Sequence, residues 1–162
     1  MGIMDGMAKE HPRLLAGLWF GGAALLPAVA IGVYYLLLLA AEGPLVSNSG
    51  YPLDVVMALY LVILPPVLAF GAGALIGLKI LLEPRHGQLA ATGWGALVGL
   101  TWLAVWMGIG ELIMLALDLG ISPPANPALM AFGYGMVGVG CVLLVLWNAF
   151  TGWALGRLVR GG

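Results

Sequence analysis

Charged residues are scarce in this chain of 162 residues, and that scarcity decides its class. Asp, Glu, Lys and Arg together make up 8% of the sequence, whereas hydrophobic residues make up 62%. A soluble domain carries about 25% charged residues, so this chain lacks the polar surface needed to face water on all sides. Only two formal charges, Glu42 and Asp54, lie between Leu14 and Leu78. The composition therefore predicts an integral membrane protein.

Cysteine and histidine are nearly absent as well. The single cysteine, Cys141, cannot form an internal disulfide, and no Cys/His cluster suggests zinc or iron–sulfur. Both histidines, His11 and His86, lie outside the long apolar runs, which excludes a haem held between two intramembrane histidines. No phosphate-binding glycine motif or hydrolytic residue pair occurs either. We therefore expect no enzyme activity and no evident cofactor, although a bound lipid, carotenoid or quinone is compatible with the composition.

Four long apolar runs are what the sequence does contain. They cover approximately residues 14–41, 52–82, 89–117 and 127–158. Each exceeds the roughly 20 residues that a helix needs to cross the hydrocarbon core of a bilayer. The first run is also longer than the 7–15 apolar residues of a signal-peptide core, so we interpret it as a span. The sequence predicts a single all-α domain of four transmembrane helices.

The basic residues predict how these helices are oriented. All six fall in segments that an antiparallel four-helix bundle places on one side of the membrane: Lys9, Arg13, Lys79, Arg85, Arg157 and Arg160. Excess Lys and Arg mark cytoplasmic segments, so we expect both termini in the cytoplasm, in a bacterial inner membrane. Such scattered charges suit contact with anionic membrane lipids and do not make a nucleic-acid surface.

Glycine is the most informative residue after the charges. Of 26 glycines, eight form pairs spaced four apart within the spans: Gly17, Gly21, Gly73, Gly77, Gly95, Gly99, Gly152 and Gly156. This spacing puts both members of a pair on one helical face, where another backbone can approach closely. The pairs either pack the four helices of this chain together or dock the chain against other membrane subunits.

One carboxylate, Glu111, lies inside a predicted span, about six residues from its outer end. A charged group there usually faces a bundle interior, a wet cavity or a partner. Four tyrosines are expected in the same layer and could donate hydrogen bonds to it: Tyr34, Tyr35, Tyr60 and Tyr134. The alternatives are a glutamate reaching the interface or bonding a tyrosine, a contact between subunits, or a site of proton movement.

Prolines interrupt two of the predicted spans near mid-depth. Pro27 lies in the first span, and Pro65 and Pro66 lie in the second. Each proline removes a backbone donor and disfavours a straight helix. Interrupted helices at the membrane midplane are typical of transporters. Simple kinks, in which neighbouring groups satisfy the freed carbonyls, are the alternative.

These features predict a non-catalytic accessory subunit of a larger membrane complex, for example one in respiratory or photosynthetic electron transfer. Its partners would be other integral membrane subunits and membrane lipids. The first alternative is a small oligomeric transporter or channel that uses Glu111 as its ionisable site. The second is a lipid-, quinone- or pigment-binding membrane protein that uses Trp102 and Trp106, which share one face of the third span.

Overall fold

In the computed structural model, the chain forms four long helices. The structure describes residues 10–42, 54–82, 87–116 and 127–160. The helices are α1 (Pro12–Glu42), α2 (residues 54–82), α3 (Gly87–Ala116) and α4 (Pro127–Arg160). Their membrane-spanning stretches are Pro12–Leu37, Val55–Leu82, Gly87–Ile113 and Val137–Val159. The prediction of an all-helical chain is confirmed, with four described helices long and apolar enough to span a membrane, whereas the antiparallel order and the cytoplasmic termini remain predictions.

Residues suited to helix termini begin three of these helices. Pro12 and Pro127 stand at the first positions of α1 and α4, where a missing N–H costs nothing because it would have no helical acceptor. Gly87 begins α3 with a φ of 79°, a left-handed conformation that glycine adopts without steric cost.

Helix α2 is irregular because its hydrogen-bond pattern changes along its length. Its sections are Asp54–Ala58, the π-helical Leu59–Ile63, Leu64–Ala72, the π-helical Gly73–Gly77, and Leu78–Leu82. The first π-helical section ends immediately before Leu64 and Pro65, and the Leu64 N–H bonds to the Leu59 carbonyl five residues back. Helix α1, by contrast, is a single α-helix that continues through Pro27. The two proline sites therefore differ in local structure.

Helices α1 and α2 pack by placing a phenylalanine of each helix on a glycine pair of the other. A Cβ atom on Gly73 would lie 2.8 Å from the Phe20 Cβ, and one on Gly77 would lie 2.6 Å from the Phe20 ring. Phe70 covers Gly17 and Gly21 in the same way, at 2.8 and 3.0 Å. At distances this short, a side chain at any of the four glycines would require the facing phenylalanine or its helix to shift. The two rings thus fix the position of α2 along α1.

Helices α3 and α4 approach even more closely, backbone against backbone. A Cβ on Gly95 would lie 2.8 Å from the Gly152 Cα, and one on Gly152 would lie 2.7 Å from the Gly95 Cα. One turn further along α3, Gly99 faces the Asn148 side chain, whose Cβ would be 2.8 Å from an added methyl group. Close backbone approach allows many dispersion contacts, which drive helix association in a bilayer.

The buried core is concentrated near these glycine contacts. Its largest fully buried side chains are Phe20, Val98, Asn148 and Leu155. The other parts of the helices, around residues 29–37, 55–63, 104–115 and 135–143, carry mostly exposed or half-buried side chains. We call the first region the packed end of the bundle and the second the open end.

Candidate functional site

A hydrogen bond between helices joins α1 to α4 at Pro27. In an α-helix the N–H of residue 27 would bond to the carbonyl of Ala23, but proline has no N–H. The Trp147 indole Nε1 donates to that carbonyl oxygen at 3.0 Å. An acceptor that would otherwise be left without its helical donor in an apolar region is thereby satisfied by another helix.

An equivalent hydrogen bond joins α2 to α3 at Pro65. In a π-helix each carbonyl accepts from the N–H five residues later, so the Tyr60 carbonyl would accept from residue 65. Residue 65 is a proline and has no N–H to donate. The Trp106 Nε1 donates to the Tyr60 carbonyl at 3.0 Å, and the Tyr60 hydroxyl donates back to the Trp106 carbonyl at 3.0 Å. The two rings stack with their centroids 5.2 Å apart. Two hydrogen bonds and a ring stack therefore hold the helices at the interruption in α2.

A third indole strengthens the contact between α1 and α4. The Trp19 Nε1 donates to the Thr151 carbonyl at 3.0 Å. The Thr151 hydroxyl and the Asn148 amide bond instead to carbonyls of their own helix, those of Trp147 and Leu144, both at 2.8 Å. Three tryptophans and Tyr60 thus donate side-chain hydrogen bonds between helices.

Trp106→Phe should therefore destabilise the protein more than Trp102→Phe, although Trp102 is the more buried ring, at 2% exposure. Trp106→Phe leaves the Tyr60 carbonyl without a donor, which costs about 1–2 kcal/mol in an apolar setting. The Trp102 Nε1 is buried with no acceptor among the described residues. Removing it relieves an unpaired donor, which offsets the lost packing.

The midpoints of unfolding by sodium dodecyl sulfate in mixed micelles measure this difference between two positions one helical turn apart. An equal or greater loss of stability for Trp102→Phe would show that the Trp106 hydrogen bond contributes nothing beyond ring packing.

The eight predicted packing glycines lie inside this chain's own bundle. At seven of them, an added Cβ would lie 3.0 Å or less from an atom of another helix: Gly17, Gly21, Gly73, Gly77, Gly95, Gly99 and Gly152. The eighth, Gly156, is buried. Other glycines have open space where a side chain would project, among them Gly108 on α3 and Gly135, Gly138 and Gly140 on α4. This second set of glycines is therefore not used in packing among the described helices.

The described tyrosines of the predicted layer lie in different surroundings. Tyr60 uses its hydroxyl on the Trp106 carbonyl, Tyr35 is buried at 7% exposure, and Tyr34 is exposed at 63%. The side chain of Tyr134 lies outside the described residues. The Tyr60 hydroxyl lies against Gly110, the residue before Glu111, where it would overlap an added Cβ.

Glu111 faces outward from the bundle. It is exposed, and no described residue forms a hydrogen bond or ion pair with its carboxylate. It belongs to a line of exposed residues on α3, spaced by four, three and four positions: Ala104, Gly108, Glu111 and Leu115. We call this line the α3 stripe. Its spacing is that of a helix seam, and its two small residues, Ala104 and Gly108, are four apart.

Two clefts at the open end are lined by apolar side chains. The larger, of about 600 Å³, lies between α1 and α2 and is lined by Val29, Gly32, Val33, Tyr35, Leu36, Val55, Ala58, Leu59, Val62 and Ile63. The smaller, of about 300 Å³, lies between α2 and α3 beside Tyr60 and Ile113. Glu111 lines neither cleft. Trp102 and Trp106 are also absent from both linings, because the first is in the core and the second is stacked on Tyr60.

A metal centre finds no support in the described part of the chain, where no three His, Cys, Asp or Glu side chains cluster. No protein-family model, curated protein or solved structure matches this chain. The function is therefore argued from the geometry alone.

Proposed function

We propose that this chain is a non-catalytic subunit of a larger membrane assembly and that it binds other integral membrane subunits through the α3 stripe. The observation that carries the proposal is the position of Glu111, a carboxylate within a membrane span that faces away from its own bundle. Ionisable side chains within membrane spans are costly and usually find a partner, and Glu111 lies near the end of its span, which is Gly87–Ile113.

The neighbours of Glu111 suit a helix partner. Gly108 has nothing within 4 Å of an added Cβ, and Ala104 is exposed one turn before it. Small residues four apart let a second helix approach closely, while a donor on that helix satisfies the carboxylate. Since the glycine pairs of the packed end are already filled, the stripe offers a face that the chain's own helices do not use.

The prolines support a structural role over a transporting one. In a transporter, interrupted helices shape a cavity at the substrate site. Here the carbonyls freed by Pro27 and Pro65 accept indole N–H groups from α4 and α3, which joins the helices at the interruptions. The ionisable residue of the transporter hypothesis, Glu111, lies outside both open-end clefts.

Affinity purification of the tagged full chain from its native membrane in mild detergent tests the proposal. We expect at least one integral membrane protein to co-purify in fixed stoichiometry. Gly108→Leu should abolish that association because it blocks helix approach at the stripe. Gly93→Leu is the matched control, since Gly93 is also open but lies near the beginning of α3. A stable, partner-free monomer, or an association that survives Gly108→Leu, would contradict the proposal.

The cleft between α1 and α2 favours a second candidate, a protein that holds one apolar chain such as a lipid, quinone or carotenoid. Its volume of about 600 Å³ falls within the roughly 300–1,000 Å³ range of ligand sites, and its lining is almost entirely apolar. Organic extraction and an absorption spectrum of the purified protein test this candidate. One extracted molecule per chain, lost when Val62→Trp fills the cleft, would support it, whereas an empty extract would exclude it.

A further inference from the structure

We infer that α4 and α3 form a binding site for one anionic phospholipid, with its acyl chain in an apolar groove and its phosphate on Arg157. The site is separate from the α3 stripe and from both open-end clefts, so it does not depend on the proposed function.

The groove has a volume of about 390 Å³ and lies where α4 crosses the early part of α3. Its lining consists of Thr92, Leu146, Ala149, Phe150 and Trp153. The four α4 residues are spaced by three, one and three positions and so share one helical face. Ala149 is the smallest of the four and leaves the depression. The Thr92 hydroxyl bonds to the Gln88 carbonyl of its own helix at 3.0 Å, so it needs no partner in the groove.

Stacked rings give the groove a firm wall. The Phe150 and Trp153 rings lie 5.5 Å apart with an interplanar angle of 22°, and Trp147 lies 6.0 Å from Phe150 on the other side. The Trp147 ring is itself fixed by its hydrogen bond to Ala23. Tryptophan rings prefer the headgroup level of a membrane, which places Trp153 where an acyl chain meets its headgroup.

Arg157 puts a positive charge at that level, one helical turn beyond Trp153. Its guanidinium carbon lies 5.4 Å from the centre of the Trp153 ring. Stacking uses one face of the guanidinium and leaves its in-plane N–H donors available, and their forked arrangement suits a phosphate. No carboxylate among the described residues pairs with Arg157, so its charge is not neutralised within that part of the chain.

An apolar groove that ends in a guanidinium with no carboxylate partner among the described residues complements a molecule with an apolar chain and an anionic headgroup. A phospholipid with net negative charge fits this description, because its acyl chain fills the apolar groove while its phosphate binds Arg157. A zwitterionic lipid of the same chain length fills the groove equally well but gains less from the charge. The site should therefore select by headgroup charge.

Native mass spectrometry of the full chain, titrated with phosphatidylglycerol and with phosphatidylcholine of identical acyl chains, tests this inference. We expect phosphatidylglycerol to bind more tightly. Arg157→Gln should weaken phosphatidylglycerol binding about five-fold, the effect of one basic residue near a membrane surface, and leave phosphatidylcholine unchanged. Ala149→Trp should weaken the binding of both lipids because it fills the groove.

Arg13→Gln is the matched control, since it removes an exposed arginine from the beginning of α1 and leaves the groove intact. It should change phosphatidylglycerol binding by less than about two-fold, well below the roughly five-fold effect expected of Arg157→Gln. The inference is overturned if Arg13→Gln weakens binding as much as Arg157→Gln, which would indicate a diffuse charge effect. It is also overturned if the native protein does not discriminate between the two lipids, or if folded Ala149→Trp protein binds both normally.

Discussion

Gly95→Ala should destabilise the bundle by about 3 kcal/mol, at the upper end of the range for overpacked cores. The new methyl group would lie 2.8 Å from the Gly152 Cα and 3.0 Å from its nitrogen. Both are backbone atoms of α4, so no side chain can rotate away to make room. The helices would have to separate, and the dispersion contacts along the whole α3–α4 contact would weaken together.

Gly93→Ala provides the control for this prediction. Gly93 lies two residues earlier on the same helix and has nothing within 4 Å of an added Cβ. Both substitutions improve helix propensity by up to about 1 kcal/mol, so the difference between them isolates the packing term. Unfolding by sodium dodecyl sulfate in mixed micelles measures both variants. Equal stabilities would mean that α3 and α4 do not touch at Gly95.

Trp147→Phe should destabilise the protein by about 1–2 kcal/mol, the cost of leaving the Ala23 carbonyl without a donor in an apolar region. The phenylalanine keeps an aromatic ring against Phe150 and removes only the indole N–H and some ring area. The same unfolding assay measures the loss. A variant as stable as the native protein would show that the carbonyl finds another donor or does not need one.

The number of spans could be predicted from the sequence because composition alone determines it. Residues 14–41 carry no formal charge and end at Glu42, and residues 89–117 carry only Glu111 and end at Asp118, so both runs are apolar for longer than a bilayer is thick. The glycine pairs could also be recognised by their spacing. What spacing does not give is the opposing helix, because four helices allow several pairings that bury the same faces.

The hydrogen bonds from tryptophans to the carbonyls freed by the prolines could not be predicted from residue spacing or hydropathy. A freed carbonyl can be located from the proline, four residues earlier in a regular helix, as with Ala23 and Pro27. Its donor cannot, because Trp147 is 124 residues away along the chain. In α2 even the identity of the freed carbonyl differs from that in a regular helix. A regular helix would free the Leu61 carbonyl, whereas the π-helical section frees that of Tyr60. A tryptophan at matching depth in another span is the signal that would have suggested the pairing.

The outward position of Glu111 was equally beyond sequence reasoning. Helix α3 is apolar on nearly all sides, so no polar face indicates which side turns toward the bundle. Its packed side is set by Gly95 and Gly99 against α4 and by Trp106 against α2. Helical geometry then carries the α3 stripe outward. The sequence leaves Glu111 open between the membrane interface, a tyrosine, another subunit and a role in proton movement, and the structure adds that the Tyr60 hydroxyl donates to the Trp106 carbonyl.

Pro27 and Pro65 create acceptors that tryptophans of other helices fill, so that these prolines join helices instead of serving as hinges. A double-mutant cycle of Pro27→Ala and Trp147→Phe tests it most directly. Pro27→Ala restores an N–H that can bond to the Ala23 carbonyl within α1. We predict that Trp147→Phe then costs less than about 0.5 kcal/mol in the Pro27→Ala background, against about 1–2 kcal/mol in the native chain. An equal cost in both backgrounds would contradict the account.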